Sequence, residues 1–194
     1  MKEAILVVSF GTSYPETLEK NIAAIETDIG HLFPHLPLRR AFTSGMILRR
    51  WASRGVEMDD VPAALRKLEA EGVARVILQP THIMNGIEND QMKEDVRRFA
   101  DQFDRIAFGA PLISSTEDQF AVIEALMEEL PSLSDQEALV FMGHGSTHYA
   151  NTLYAALDYA FKQAGHPNVY MGTVEAYPDA RAVLEQLGKK NIRR

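Results

Sequence analysis

Two similar α/β halves, each a parallel sheet flanked by helices and the second incomplete, are what this 194-residue sequence predicts. Short apolar runs alternate with helical patterns along the chain, and that alternation implies a parallel sheet. The clearest runs are continuously apolar, as expected of strands covered on both faces. A strand-turn-helix unit also occurs twice. Ile5-Leu6-Val7-Val8 leads into Ser9-Phe10-Gly11-Thr12-Ser13, and Ala138-Leu139-Val140-Phe141 leads into Gly143-His144-Gly145-Ser146-Thr147. Phe10 in the first copy becomes His144 in the second.

In chain order, strands are expected at Ala4–Ser9, Leu38–Thr43, Val76–Thr81, Ile106–Phe108, Ala138–Met142 and Val169–Val174. The first helix is read from Leu18, Ile22, Ile25 and Ile29, a single apolar stripe at helical spacing. Ser13 is its expected N-cap, with Glu16 three residues on as capping-box partner and Pro15 in the first turn. In the second copy Thr147 takes the capping place, and Leu153, Leu157 and Ala160 form the stripe. Further helices are expected at Val61–Glu71, Asn89–Gln102, Thr116–Leu130 and Asp179–Leu187. Pro131-Ser132-Leu133-Ser134-Asp135 has linker composition, so the halves are placed at 1–130 and 137–194. Leu184 and Leu187 near the C-terminus echo Leu65 and Leu68, which precede the Val76 strand. By that analogy a strand is due after Arg194. The expectation is a truncated chain, or a partner chain that supplies the strand.

Net charge is −7, from 27 acidic against 20 basic residues. An acidic chain argues against nucleic-acid binding, which needs a basic surface. No run approaches the roughly 20 apolar residues of a membrane helix, and the N-terminus lacks a signal-peptide apolar region. No membrane partner and a cytoplasmic location are therefore expected. With no cysteines, disulfides, thiolate metal sites and a cysteine nucleophile are excluded. Arg39-Arg40, Arg49-Arg50 and Arg54 cluster locally, either as a solvated helix face or as an anion-binding patch.

Ligands of parallel α/β sheets bind outside the carboxyl ends of the strands. Gly11-Thr12-Ser13, His82 and His144 all lie there. Flanking glycines expose His144, and a following helix N-terminus favours a neutral imidazole or a bound anion. His148, four residues on, reads as capping or packing. Glu88 follows an Asn85-Gly86 turn signal and reads either as first-turn helix stabilisation or as a functional carboxylate. Glu175 ends an apolar strand, an unusual place for a carboxylate, and its role is open. His31 and His35, split by Pro34, read as a helix end and loop. Gly-x-Ser-x-Gly and the Walker loop are both absent. A histidine with carboxylates and no thiols suits a borderline divalent ion such as Co²⁺, Ni²⁺, Fe²⁺ or Zn²⁺.

Four segments together resemble a known family. These are Val7-Val8-Ser9-Phe10-Gly11-Thr12-Ser13, Arg40-Ala41-Phe42-Thr43-Ser44-Gly45-Met46-Ile47, Phe141-Met142-Gly143-His144-Gly145 and Val174-Glu175-Ala176-Tyr177-Pro178. They are similar to the anaerobic cobalt chelatases, the sirohydrochlorin cobaltochelatases of the class II chelatase superfamily that also contains ferrochelatase. The resemblance implies chelatase-like halves with flavodoxin-like strand order, facing each other across a tetrapyrrole cleft. It implies Co²⁺ as substrate metal, sirohydrochlorin or a related tetrapyrrole as partner, and no ATP or other nucleotide. It further implies His144 as proton acceptor and metal ligand, with Glu175 and Glu88 as further ligands. Phe10, Gly11, Thr12, Ser13, Gly145, Ser146 and Thr147 become expected substrate contacts, and Arg39, Arg40, Arg49 and Arg50 candidates for the substrate's carboxylates. A second histidine ligand of the family falls beyond Arg194. Sequence leaves the metal open among Co²⁺, Fe²⁺ and Ni²⁺, and a non-catalytic tetrapyrrole- or metal-binding fragment remains the alternative. The oligomeric state, a homo-oligomer included, is also open.

Overall fold

The computed structural model describes residues 1–130, 132–190 and 192. Pro131 of the expected linker, and Asn191, Arg193 and Arg194 before the expected strand, lie outside them. The chain divides into two compact units, Met1–Leu112 and Ile113–Arg194.

The first unit holds a parallel sheet of β1 (Glu3–Ser9), β2 (Leu38–Phe42), β3 (Arg75–Pro80) and β4 (Arg105–Phe108). Their order is β2-β1-β3-β4, the flavodoxin-like order. β1 is central, and six of its seven residues are buried. Alternate residues face opposite sides. Ala4, Leu6, Val8, Ala41, Val76 and Leu78 meet helices α4 (Val61–Ala70) and α5 (Ile87–Arg97) in the larger core. On the other side Phe42 packs with Ile47 and Trp51 of α3 (Gly45–Ala52) and with Leu18 and Ile22. Asp60 caps α4 by accepting from the Ala63 amide.

The first helical stretch departs from expectation. It runs as α1 (Pro15–Thr17), a π-helical turn (Leu18–Ile22) and α2 (Ala23–Leu32). Its N-cap is Tyr14, with no side-chain cap bond. Ser13 does not cap it, because the Ser13 hydroxyl instead accepts from Arg50 at 3.3 Å. Helix α3 itself was not expected.

In the second unit β5 (Leu139–Gly143) and β6 (Val169–Thr173) pair in parallel, and the described residues add no further strand to them. Helices α6 (Thr116–Glu129), α7 (Thr152–Gln163) and α8 (Ala180–Gly188) surround the pair. Ile123 of α6 is buried with Leu157 and Phe161 of α7 and Met171 of β6. Ser115 and Asp118 form a complete capping box at the start of α6. Thr147 caps nothing at α7. A 3₁₀ turn (Tyr149–Asn151) intervenes, and His148 Nδ1 accepts from the Ala150 amide at 3.2 Å.

Candidate functional site

The duplication seen in the sequence is also a duplication of backbone. In the first unit the β1–β2 ladder runs one step past the strands: Thr43 donates to the Ser9 carbonyl and Ser44 to the Phe10 carbonyl. In the second, Val174 donates to Gly143 at 3.0 Å and Glu175 to His144 at 2.9 Å. Phe10 therefore corresponds to His144, and Ser44 to Glu175. Each copy then turns on a left-handed glycine, Gly11 at φ +96° and Gly145 at φ +86°. Side chains cannot follow there without strain.

This pairing places the His144 and Glu175 side chains together. His144 Nε2 lies 3.3 Å from Glu175 Oε2, and the two side chains are 76% and 65% exposed. Neither is committed to the core, so both can turn to an incoming ligand. The surrounding turn is closely packed. A Cβ on Gly145 would meet the Ala176 nitrogen at 2.8 Å, and one on Gly143 would overlap the Tyr154 ring at 2.2 Å. Buried Thr173 holds the far side, its hydroxyl accepting from the Ala176 amide at 3.2 Å. Asn151 joins both loops, accepting from the Ser146 amide at 2.9 Å and donating to the Tyr177 carbonyl at 2.7 Å. The Gly145 and Thr147 amides meet no acceptor among the described residues. Among those residues no three His, Asp or Glu side chains gather as a complete metal site.

In the first unit, Gly11, Thr12 and Ser13 present three successive amides with no acceptor among the described residues. The loop is clamped from α3. Trp51 Nε1 donates to the Thr12 carbonyl at 2.7 Å, Arg54 donates to the Ser13 carbonyl, and the Arg54 guanidinium lies 5.6 Å from the Trp51 ring centre. Arg50 and Arg54 are thus loop anchors. Arg39 pairs with Glu71 at 3.0 Å, and Arg40 forks onto buried Glu26. These neutralised arginines are poor candidates for substrate carboxylates. Phe10, Met46, Ile83, Ile87 and Leu112 form an exposed apolar rim at the carboxyl end of this sheet. Spacing alone missed that rim and the Trp51 clamp. The only available signal was a set of large apolar residues lying just after strands.

Glu88 sits in the first turn of α5, behind the Asn85-Gly86 turn. Beside it, both ring nitrogens of His82 are enclosed with no hydrogen-bond partner among the described residues. Burial pulls the His82 imidazole below its ordinary 6.5, and the Glu88 charge opposes that pull. Glu88 and His144 belong to different compact units. No described helix is long and apolar enough to cross a membrane.

Comparison with known proteins supplies the family. The model of the family Cobalt chelatase (CbiK) matches residues 3–194. A Sirohydrochlorin cobaltochelatase of Salmonella typhimurium is 42% identical over 193 residues, covering 99% of this chain and 73% of that protein. The Sirohydrochlorin cobaltochelatase CbiKC of Nitratidesulfovibrio vulgaris is 32% identical over 195 residues, covering 99% of this chain and 68% of that one. Among solved structures, SirB from Bacillus subtilis with Fe³⁺ matches with a TM-score of 0.70 at 16% identity, over 96% of this chain and 71% of that chain, a likeness of fold. With its family match running from residue 3 to residue 194, this chain belongs to the cobalt chelatase (CbiK) family.

Proposed function

We propose that the chain is a sirohydrochlorin cobaltochelatase, inserting Co²⁺ into sirohydrochlorin for anaerobic cobalamin biosynthesis in the cytoplasm, without ATP. The observation that carries this reading is the exposed His144–Glu175 pair, 3.3 Å apart on a turn built around Gly145. Family membership and two sirohydrochlorin cobaltochelatase relatives support it.

Metallation exchanges two pyrrole N–H protons for one divalent ion. Imidazole, as a class, titrates near neutrality, so it can take a proton and release it again. His144 Nε2 accepts a pyrrole proton and ligates Co²⁺ when deprotonated. The Glu175 carboxylate balances the charge of either the metal or the imidazolium. Glu88 is a further metal ligand. Phe10 and the amides of Gly11, Thr12, Ser13, Gly145 and Thr147 contact the tetrapyrrole and its carboxylates, and Ser146, its amide already committed to Asn151, offers its hydroxyl. The two copies of the duplicated strand-turn-helix sequence fall within segments 1–130 and 137–194.

The test is metallation of sirohydrochlorin followed by absorbance, with Co²⁺, Fe²⁺ and Ni²⁺ in competition and no nucleotide. The reading expects turnover with Co²⁺ preferred. Preference for Fe²⁺ or Ni²⁺ would move the assignment to another chelatase, and tetrapyrrole binding without turnover would make the chain a binding module.

A further inference from the structure

At the carboxyl rim of the first sheet, polar atoms are shut away from solvent without partners. They are Thr43 Oγ1, Asn89 Oδ1 and both ring nitrogens of His82. Thr43 and His82 continue the strand positions of Ala41 and Pro80, so they stand over the face that α4 and α5 cover. Asn89 is 1% exposed and stands one turn before buried Met92 on α5. Three chain segments therefore bring unsatisfied polar groups to one rim. A buried group without a partner costs about 1–3 kcal/mol. An imidazole that leaves both its donor and its acceptor unused is the most costly member of the set. Such groups call for an explanation, and a functional role is one.

The segment around His82 is otherwise firmly held. The Thr81 amide donates to Val8 at 2.9 Å, and the Thr81 hydroxyl donates to the Ser9 hydroxyl at 2.8 Å. The His82 carbonyl accepts from Leu112 at 2.9 Å. Beyond the loop, Asn85 accepts from Asn89 and from Lys93, the latter at 3.0 Å. The backbone before the loop and the helix after it are thus both anchored. The carboxylate within electrostatic reach of the His82 ring is Glu88, whose charge acts on it.

We infer that His82 is a positioning residue for Glu88, its ring N–H donating to the Glu88 carboxylate when that carboxylate carries the substrate metal. The inference rests on the reading of Glu88 as a metal ligand. Among the described residues the His82 donor is enclosed but unspent. Once Glu88 turns one oxygen to Co²⁺, its other oxygen gives His82 the partner it lacks. Hydrogen-bond partners of this kind orient metal ligands, and losing them typically costs 10- to 100-fold in metal affinity.

The experiment is a double-mutant cycle read by titration with cobalt chloride alone, no tetrapyrrole present. The full chain is compared with His82→Phe, Glu88→Gln and the double variant, and His82→Gln serves as the conservative replacement. His82→Phe should weaken Co²⁺ binding about tenfold, and His82→Gln should recover most of that loss. In the Glu88→Gln background His82→Phe should change nothing further. Thermal unfolding of each variant tests folding, and if His82→Phe does not fold, the same cycle is read with His82→Gln and His82→Ala. Co²⁺ binding by His82→Phe equal to that of the unsubstituted chain would overturn the inference. So would an equal loss in both backgrounds, which marks a purely structural histidine. Unchanged binding by Glu88→Gln would overturn the ligand assignment of Glu88 and, with it, the inference.

Discussion

Replacing Gly145 by alanine should cost the second unit both stability and chemistry. Gly145 has φ +86°, and an added Cβ would meet the Ala176 nitrogen at 2.8 Å, Ala176 Cβ at 2.9 Å and Thr173 Cβ at 3.1 Å. Left-handed backbone alone costs a non-glycine residue about 1–2 kcal/mol. Forcing Ala176 and Thr173 apart adds about 1–3 kcal/mol of overpacking, so the total is about 2–5 kcal/mol. Gly165 in the same unit supplies the control. Its φ is +91°, but nothing lies within 4 Å of its added Cβ. Gly165→Ala should therefore lose only the backbone share, about 1–2 kcal/mol. The chemical consequence differs too. Ala176 follows Glu175, so moving it shifts the carboxylate that faces His144. A misplacement of about 1 Å can cost about 100-fold in rate. Urea unfolding and initial rates of Co²⁺ insertion for both variants make the assay. Equal destabilisation by the two substitutions, or a Gly145→Ala protein with unchanged rate, would refute the reasoning.

Other substitutions probe the frame. Ser115→Ala removes the hydroxyl that accepts from the Asp118 amide at 3.0 Å. It should cost about 1 kcal/mol in thermal or urea unfolding, and an unchanged midpoint would show that the cap is idle. Glu26→Gln strips the Arg40 guanidinium of its charged partner in a half-enclosed site and should cost about 2 kcal/mol. The loss should survive high salt, because the pair is shielded. His82 should make stability depend on pH. Its folded-state affinity for a proton is lowered by burial, so as pH falls the unfolded chain is protonated first. The contribution is whole above about 6.5 and is lost from there downward. Between about pH 7 and pH 5, the unsubstituted chain should lose more stability than His82→Phe. Parallel curves would contradict this.

Much of the fold was legible because the clearest strands carry continuous apolar runs and the breaks between them are sharp. Ile5–Val8 admits few alternatives to a strand covered on both faces. What the spacing hid depends on partners remote in sequence. Gly45–Ala52 carries Arg49 and Arg50 and looks like a solvated segment. It is a helix because Ile47 and Trp51 are buried against Phe42, and because Trp51 reaches back to the Thr12 carbonyl. Ser13 has the right residue type and spacing for a cap, yet Arg50 takes its hydroxyl. Thr147 fails for another reason: a 3₁₀ turn delays α7, and His148 does the capping. At the site, His144 and Glu175 each stood out alone, one by its glycines and the other by its apolar flanks. Their closeness is a product of β5–β6 register, which pairs Gly143 with Thr173 and carries the next residues along. Two of the four arginines read as candidates for substrate carboxylates, Arg40 and Arg39, pair with Glu26 and Glu71, which lie 14 and 32 residues away, so spacing could not show those pairings.

The central claim is that His144 is the proton acceptor and a metal ligand. Its most direct test is the initial rate of Co²⁺ insertion into sirohydrochlorin by His144→Ala against the unsubstituted chain, with unfolding curves showing both folded. Loss of a general base lowers the rate about 100- to 10,000-fold, and that loss, at unchanged stability, is the predicted result. A His144→Ala protein that metallates sirohydrochlorin at the unsubstituted rate would contradict the account.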